Sequence, residues 1–184
     1  MVVFFDRDGT INMNLNGYVH RPEDLEFVPG AINGMKTLYN AGKGLFVVTN
    51  QSGIGRGMYS EQDFWSFMTH MGTQLLSSGI NLSGTYFCPH LPDAPVKEYS
   101  VDCDCRKPKP GMLQRAAEDN GIDLSTAWMI GDSYRDIAAG KAAGCKTVLV
   151  KRDCVAFETE NKYRVEPDFK ASDLLEVSDI ILRR

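Results

Sequence analysis

The chain has 184 residues, 43% of them hydrophobic and 24% charged, enough for one compact α/β domain and too short for a second of ordinary size. A net charge of −4 and a pI near 5.4 exclude the basic footprint that drives binding to nucleic acid or anionic membranes, so an anionic ligand must be met by local charge. The apolar start meets Asp6, Arg7 and Asp8 too early for a signal peptide or a membrane span, and a cytoplasmic monomer is expected.

Residues 2–5 form a short apolar run of β-formers ending at charge and glycine, the profile of a strand buried on both faces. A helix is predicted over 31–40 and a strand over 44–48, with Pro29-Gly30 and Gly42 as breaks. Helices follow over 61–78 and 111–120, the second bounded by Gly121, then a strand over 127–130, a helix over 136–143 and a strand over 147–150. Residues 153–167 are the loosest segment, and 174–177 read as a short closing helix. The alternation predicts a doubly wound, mostly parallel sheet with helices on both faces, in which ligands sit outside the carboxyl ends of the strands.

The residues at those ends carry the chemistry. In "DRDGT", Asp6 and Asp8 are two apart and point the same way in extended chain, with Gly9 and Thr10 turning the backbone at once. Two carboxylates in one small space favour a cation between them or a shared proton. A solvated turn would explain an isolated pair. Here "VVTNQSG" also brings Thr49 and Asn50 to a strand end, and "MIGDSYRD" brings Asp132 and Asp136. Carboxylates, a carbonyl and waters are what Mg²⁺ accepts when it also holds a phosphate.

These segments resemble, in order and over nearly the whole chain, the four motifs of the haloacid dehalogenase-like phosphatases. The resemblance implies that Asp6 is a nucleophile forming an aspartyl phosphate and that Asp8 protonates the leaving oxygen before activating water. It further implies Mg²⁺ on the Asp6 carboxylate, the Asp8 carbonyl and Asp132, with Thr49 and Asn50 hydrogen-bonding the phosphoryl group and Lys107 offsetting its charge. Asp136 would act through water or by orienting Lys107. No large inserted cap is present in the sequence, so closure is expected from loops around Gly17-Tyr18 and 53–57 and from the cysteine-rich stretch.

That stretch, "YFCPHLPDAPVKEYSVDCDCRKPKPGM", places Cys88, His90, Cys103 and Cys105 around one loop at about 88–105. Three thiols and one imidazole are a closed structural zinc set. A few reduced core cysteines beside a surface histidine would be the plain alternative, but Pro89, Asp102 and Asp104 make the stretch too polar for a core. The remaining cysteines, Cys145 and Cys154, stand apart and fit no secreted disulfide framework. Zinc here would fix the segment leading into Arg106 and Lys107.

The same stretch narrows the resemblance to a branch comprising heptose 1,7-bisphosphate phosphatases and histidinol-phosphate phosphatases. The insert between the ligand pairs and "TNQSGIGRG" are more similar to the heptose enzymes, which implies a sugar bisphosphate substrate touched by Gln51, Ser52, Arg56 and Arg106, the two arginines on its second phosphate. Ser133 departs from several of those enzymes, which have lysine after the aspartate. His70 reads as helix packing and His20 as a loop residue within reach of substrate; Phe64, Trp65, Phe67 and Met68 read as one core face. A phospho-accepting signalling domain is the rival from another class, and Asp8, which supplies the proton donor and base for turnover, argues against it.

Overall fold

The computed structural model describes residues 1–14, 17–151 and 161–184. Six parallel strands form one sheet: β1 (Val2–Phe5), β2 (Gly44–Asn50), β3 (Gly84–Cys88), β4 (Trp128–Gly131), β5 (Lys146–Val150) and β6 (Phe169–Ala171). Their order is β3-β2-β1-β4-β5-β6. The helices are α1 (Ala31–Asn40), the one-turn α2 (Ser52–Gly55), α3 (Glu61–Ser77), α4 (Gly111–Asn120), α5 (Tyr134–Ala143) and α6 (Leu174–Leu182).

The two-residue period of a strand explains the layering. Val3 and Phe5 of β1, Leu45 and Val47 of β2, and Trp128 and Ile130 of β4 join one apolar cluster with Met35 and Leu38 of α1, Phe64 and Phe67 of α3, and Val177 and Ile181 of α6. Phe4, Phe46, Val48 and Met129 point the other way and meet Met112, Leu113 and Ala116 of α4. Val3, Phe4 and Phe5 are all 0% exposed, so β1 has solvent on neither face, and each side chain contributes roughly 1.5–3 kcal/mol of burial. The chain turns back through parallel crossovers, and α1 lies so close to α6 that a Cβ on Gly34 would collide with the Leu174 carbonyl.

The sequence misses β3 and β6. Four of the five β3 residues are only partly buried, and β6 has three residues, so neither shows a continuous apolar run. Both are the outer strands. The closing helix runs on to Leu182 instead of ending at 177. Trp65 is a correction: it is 44% exposed, edge-on to Phe87 at 5.5 Å, while Phe64 and Phe67 carry the core face of α3. That helix starts cleanly because the Ser60 hydroxyl accepts from Asp63 N and the Asp63 carboxylate accepts from Ser60 N. Cys154 and the first part of the 153–167 segment lie outside the described residues. Among the described residues no helix is long and apolar enough to cross a membrane.

Candidate active site

Three adjacent strands deliver the site. Asp6 and Asp8 follow β1, Thr49 and Asn50 end β2, and Asp132 follows β4. β1 runs on far enough that Asp6 N donates to Ile130 O at 2.8 Å, which fixes the first acid beside the end of β4. Asp6, Asp132 and Asp136 bring carboxylate oxygens within 4.8 Å of one another. Gly9 makes room for this: its φ is +83°, and a Cβ there would collide with the Asp132 carboxylate.

One cation is built into the cluster. Lys107 is 3% exposed; its Nζ lies 2.9 Å from Asp6 Oδ1 and 2.6 Å from Asp136 Oδ1, and donates to Val48 O at 2.8 Å. Burial pulls its pKa down, but the Asp136 and Asp6 carboxylates outweigh that and hold it above the ordinary lysine value. Asp136 is pushed up to about 6, chiefly by burial, with Lys107 opposing. Asp132 is raised well above the usual carboxylate range by burial and by the charges of Asp6 and Asp136. Three acids against one lysine leave the site short of positive charge. An oxygen-loving divalent cation fits that donor set.

Asp136 also has a backbone role. Its Oδ2 accepts from Ser133 N at 3.1 Å, and the Ser133 hydroxyl accepts from Arg135 N and Nε at 3.3 and 3.0 Å, so Ser133 caps the start of α5. Serine at this position thus has a local structural reason.

The two β1 acids have different surroundings. Asp6 Oδ1 accepts from Lys107 and, at 2.7 Å, from Arg7 N. The Asp8 carboxylate is turned to other partners: Arg7 Nη2 at 2.9 Å to each oxygen, Asn12 Nδ2 at 3.1 Å and Gln51 Nε2 at 2.9 Å. Gln51 Nε2 also donates to Thr49 Oγ1 at 2.8 Å, and Tyr59 Oη donates to Gln51 Oε1 at 2.6 Å. Asn50 grips the backbone of Lys107 from both ends of its amide, accepting from Lys107 N and donating to Lys107 O at 3.0 Å each.

A cleft of about 330 Å³ opens over these groups, lined by Asp6, Asp8, Asn50, Gln51, Ser52, Lys107 and Asp132. Thr49, Arg56 and Arg106 are not in its lining. Thr49 is buried behind Gln51; Arg56 ends the one-turn helix and is exposed; Arg106 Nη1 donates to His90 O at 3.1 Å. Tyr18, expected from the sequence at a closing loop, lines the cleft, as do Asn14, Tyr59 and Arg135, which the sequence did not single out. Arg135, three residues past Asp132 in the first turn of α5, had a signal in its spacing. Tyr59 had none beyond its place before the Ser60 cap. His20 reaches the site only indirectly, stacked on Tyr59 at 4.5 Å.

The cysteine cluster sits beside this cleft. Cys88, His90, Cys103 and Cys105 converge, with sulfur separations of 3.5 Å (Cys88–Cys103), 3.1 Å (Cys88–Cys105) and 2.9 Å (Cys103–Cys105), and His90 Nδ1 3.3 Å from Cys105 Sγ. Contact with Cys88 lowers the pKa of the Cys105 thiol. Cys88 and Cys103 are shifted upward, Cys88 first by its contact with Cys105 and Cys103 first by burial. The donor set fits zinc.

Fold and site together define a phosphatase of the haloacid dehalogenase-like class, and a model of the HAD-hydrolase-like family matches residues 104–177. The D-glycero-β-D-manno-heptose-1,7-bisphosphate 7-phosphatase of Yersinia pestis is 44% identical over 82% of this chain and 79% of its own. That of Pasteurella multocida is 47% identical over 81% and 80%. The crystal structure of D,D-heptose 1,7-bisphosphate phosphatase from B. bronchiseptica, complexed with magnesium and phosphate, superposes with a TM-score of 0.83 at 29% identity, covering 99% of this chain and 98% of that one. The chain belongs to this phosphatase family.

Proposed function

We propose that this chain is a cytoplasmic, monomeric, single-domain enzyme. It removes the 7-phosphate of D-glycero-D-manno-heptose 1,7-bisphosphate on the route to nucleotide-activated heptose. The names of its relatives support the substrate, and the acidic balance of the chain supports a small-molecule partner. The observation that carries the chemistry is the Asp6–Lys107–Asp136 array at the end of the central strand, with Asp132 beside it.

Asp6 is the nucleophile. Lys107 and Arg7 N both fall on Oδ1, so Oδ2 is the oxygen assigned to attack on phosphorus. The bond from phosphorus to the sugar oxygen breaks as Asp8 donates a proton to that oxygen. Asp8 then accepts a proton from water, the water oxygen bonds to phosphorus, and the Asp6–phosphorus bond breaks to release inorganic phosphate. Lys107 pairs with Asp6 and stands against the charge spread over the phosphoryl oxygens. Asp6, the Asp8 carbonyl and Asp132 would hold Mg²⁺, which would supply further positive charge to the transferring group. Asn50 holds Lys107 in register through its backbone. Arg56 and Arg106 are assigned to the substrate's second phosphate, joined by Arg135 at the cleft wall. Cys88, His90, Cys103 and Cys105 would hold zinc in a structural role, because the four side chains would complete its usual ligand set.

Acid-quenching the enzyme during turnover tests this reading. Mass spectrometry should find one phosphoryl group on the peptide containing Asp6, and none in Asp6→Asn. Turnover with no phosphorylated peptide under conditions that preserve acyl phosphates would contradict it.

A further inference from the structure

Arg7 lies between the two site acids in sequence. It is 0% exposed, which is costly for a guanidinium. Its Nη1 is buried with no hydrogen-bond partner, so the residue is a poor device for stability alone. The guanidinium carbon lies over the Phe67 ring, 4.5 Å from its centroid, and 5.7 Å from that of Phe64, which seats it against α3. From that slot Nη2 reaches both oxygens of Asp8 at 2.9 Å, Nε reaches Oδ1 at 3.2 Å, and Nη2 also donates to Val19 O at 2.6 Å. Val19 follows Gly17 and Tyr18, which line the cleft.

The opposite side of Asp8 is tied to the same loop. Gln51 Nε2 holds Oδ2, Tyr59 Oη holds Gln51, and the Tyr59 ring stacks on His20 at 4.5 Å with the planes 6° apart. His20 Nδ1 donates in turn to Tyr18 O at 2.7 Å. Both flanks of the Asp8 carboxylate are therefore held by side chains that rest on residues 18–20.

We propose that Arg7 is a positioning residue: its buried fork aims the Asp8 carboxylate and ties that aim to the Tyr18–His20 loop at the cleft, with Gln51 and Tyr59 as the opposing arm. In a chain closed by loops, this couples the seating of substrate against Tyr18 to the readiness of the proton donor. Lysine is a poor substitute, because it lacks the second nitrogen, Nε, that reaches Asp8 Oδ1 and the planar group that packs over the Phe67 ring. The inference rests on reading Asp8 as the proton donor, and the test separates the two.

The test compares wild type, Asp8→Asn, Arg7→Lys and Tyr59→Phe on heptose 1,7-bisphosphate, whose leaving alkoxide needs a proton, and on p-nitrophenyl phosphate, whose phenolate does not. Asp8→Asn should lower kcat for the sugar phosphate roughly 10²-fold more than for the aryl ester. Arg7→Lys should show the same selectivity at about tenfold and Tyr59→Phe at about threefold, with KM for the sugar phosphate little changed. A crystal structure of Arg7→Lys should show the Asp8 side chain turned from its present direction or split between two. If Arg7→Lys does not fold, Tyr59→Phe decides. Folded variants that lose both substrates equally, or lose neither, with Asp8 undisturbed, overturn the role of Arg7. An equal loss on both substrates in Asp8→Asn itself overturns the proton-donor reading, and the proposal with it.

Discussion

Asp6 and Asp8 leave the same strand two residues apart, yet one faces a lysine and further acids while the other is held by an arginine and two amides. Environment, more than residue type, divides their chemistry. Asp6→Asn keeps the size and removes the nucleophile; kcat should fall by at least about 10³-fold with unchanged circular dichroism. The charge crowding gives a second expectation. Asp136 is raised from 3.8 to about 6, mainly by burial, and Asp132 is shifted the same way. For such a group the folded state binds the proton more tightly than the unfolded one, so its contribution to stability is complete below about pH 4 and is lost as pH rises through about 6. A cation should recover what is lost. The rise in Tm on adding Mg²⁺ should therefore be larger at about pH 7.5 than at about pH 5, and Asp132→Asn should remove most of that difference. An equal rise at both pH values in the wild type would argue against a carboxylate metal site.

At the scale of elements, the cysteine loop and the end of β2 are one mechanical unit. Cys88 ends β3 opposite Asn50 of β2, and Gln51 N donates to Cys88 O at 2.8 Å. At its other end the loop runs from Cys105 through Arg106 into Lys107, whose backbone Asn50 grips. Losing the metal should loosen that loop before the sheet melts. Cys103→Ser should lower zinc content and kcat/KM together while far-ultraviolet circular dichroism barely changes; full activity with far less than one zinc per chain would show that the loop is held by something else. The contact between α1 and α6 gives a prediction of another kind. Gly34→Ala should destabilise the fold by about 1–3 kcal/mol, read from urea unfolding, because the new methyl meets the Leu174 carbonyl. The central strands were legible because Val3, Phe4 and Phe5, and their counterparts in β2 and β4, are buried on both faces and so read as unbroken apolar runs. The outer strands β3 and β6 were not, since residues such as Thr85 and Lys170 face solvent in part or fully. In the site, Asp6, Asp8 and Asp132 were legible because strand ends announce themselves. Arg7 and Tyr59 were not, because what defines them is a contact made across the fold.

For the whole molecule, topology explains why the chemistry sits where it does. With the order β3-β2-β1-β4-β5-β6, successive strands step to one side from β1 and then to the other, and the crevice lies outside the carboxyl ends where that direction reverses. Acids from β1 and β4 and donors from β2 meet there, beside Gly17 and Tyr18 of the loop after β1. Arg135 on the cleft wall is one of the groups assigned to the second phosphate, and Arg135→Ala should raise KM for a sugar bisphosphate about tenfold or more while leaving the aryl ester nearly unchanged. The central claim is a Mg²⁺-dependent phosphatase that takes the 7-phosphate from a heptose bisphosphate. The measurement that tests it most directly is phosphate release from heptose 1,7-bisphosphate and from histidinol phosphate, side by side with Mg²⁺, with the sugar product identified by NMR. Release from the bisphosphate should be rapid, with heptose 1-phosphate as the product. Preference for histidinol phosphate, or loss of the 1-phosphate instead, would contradict it.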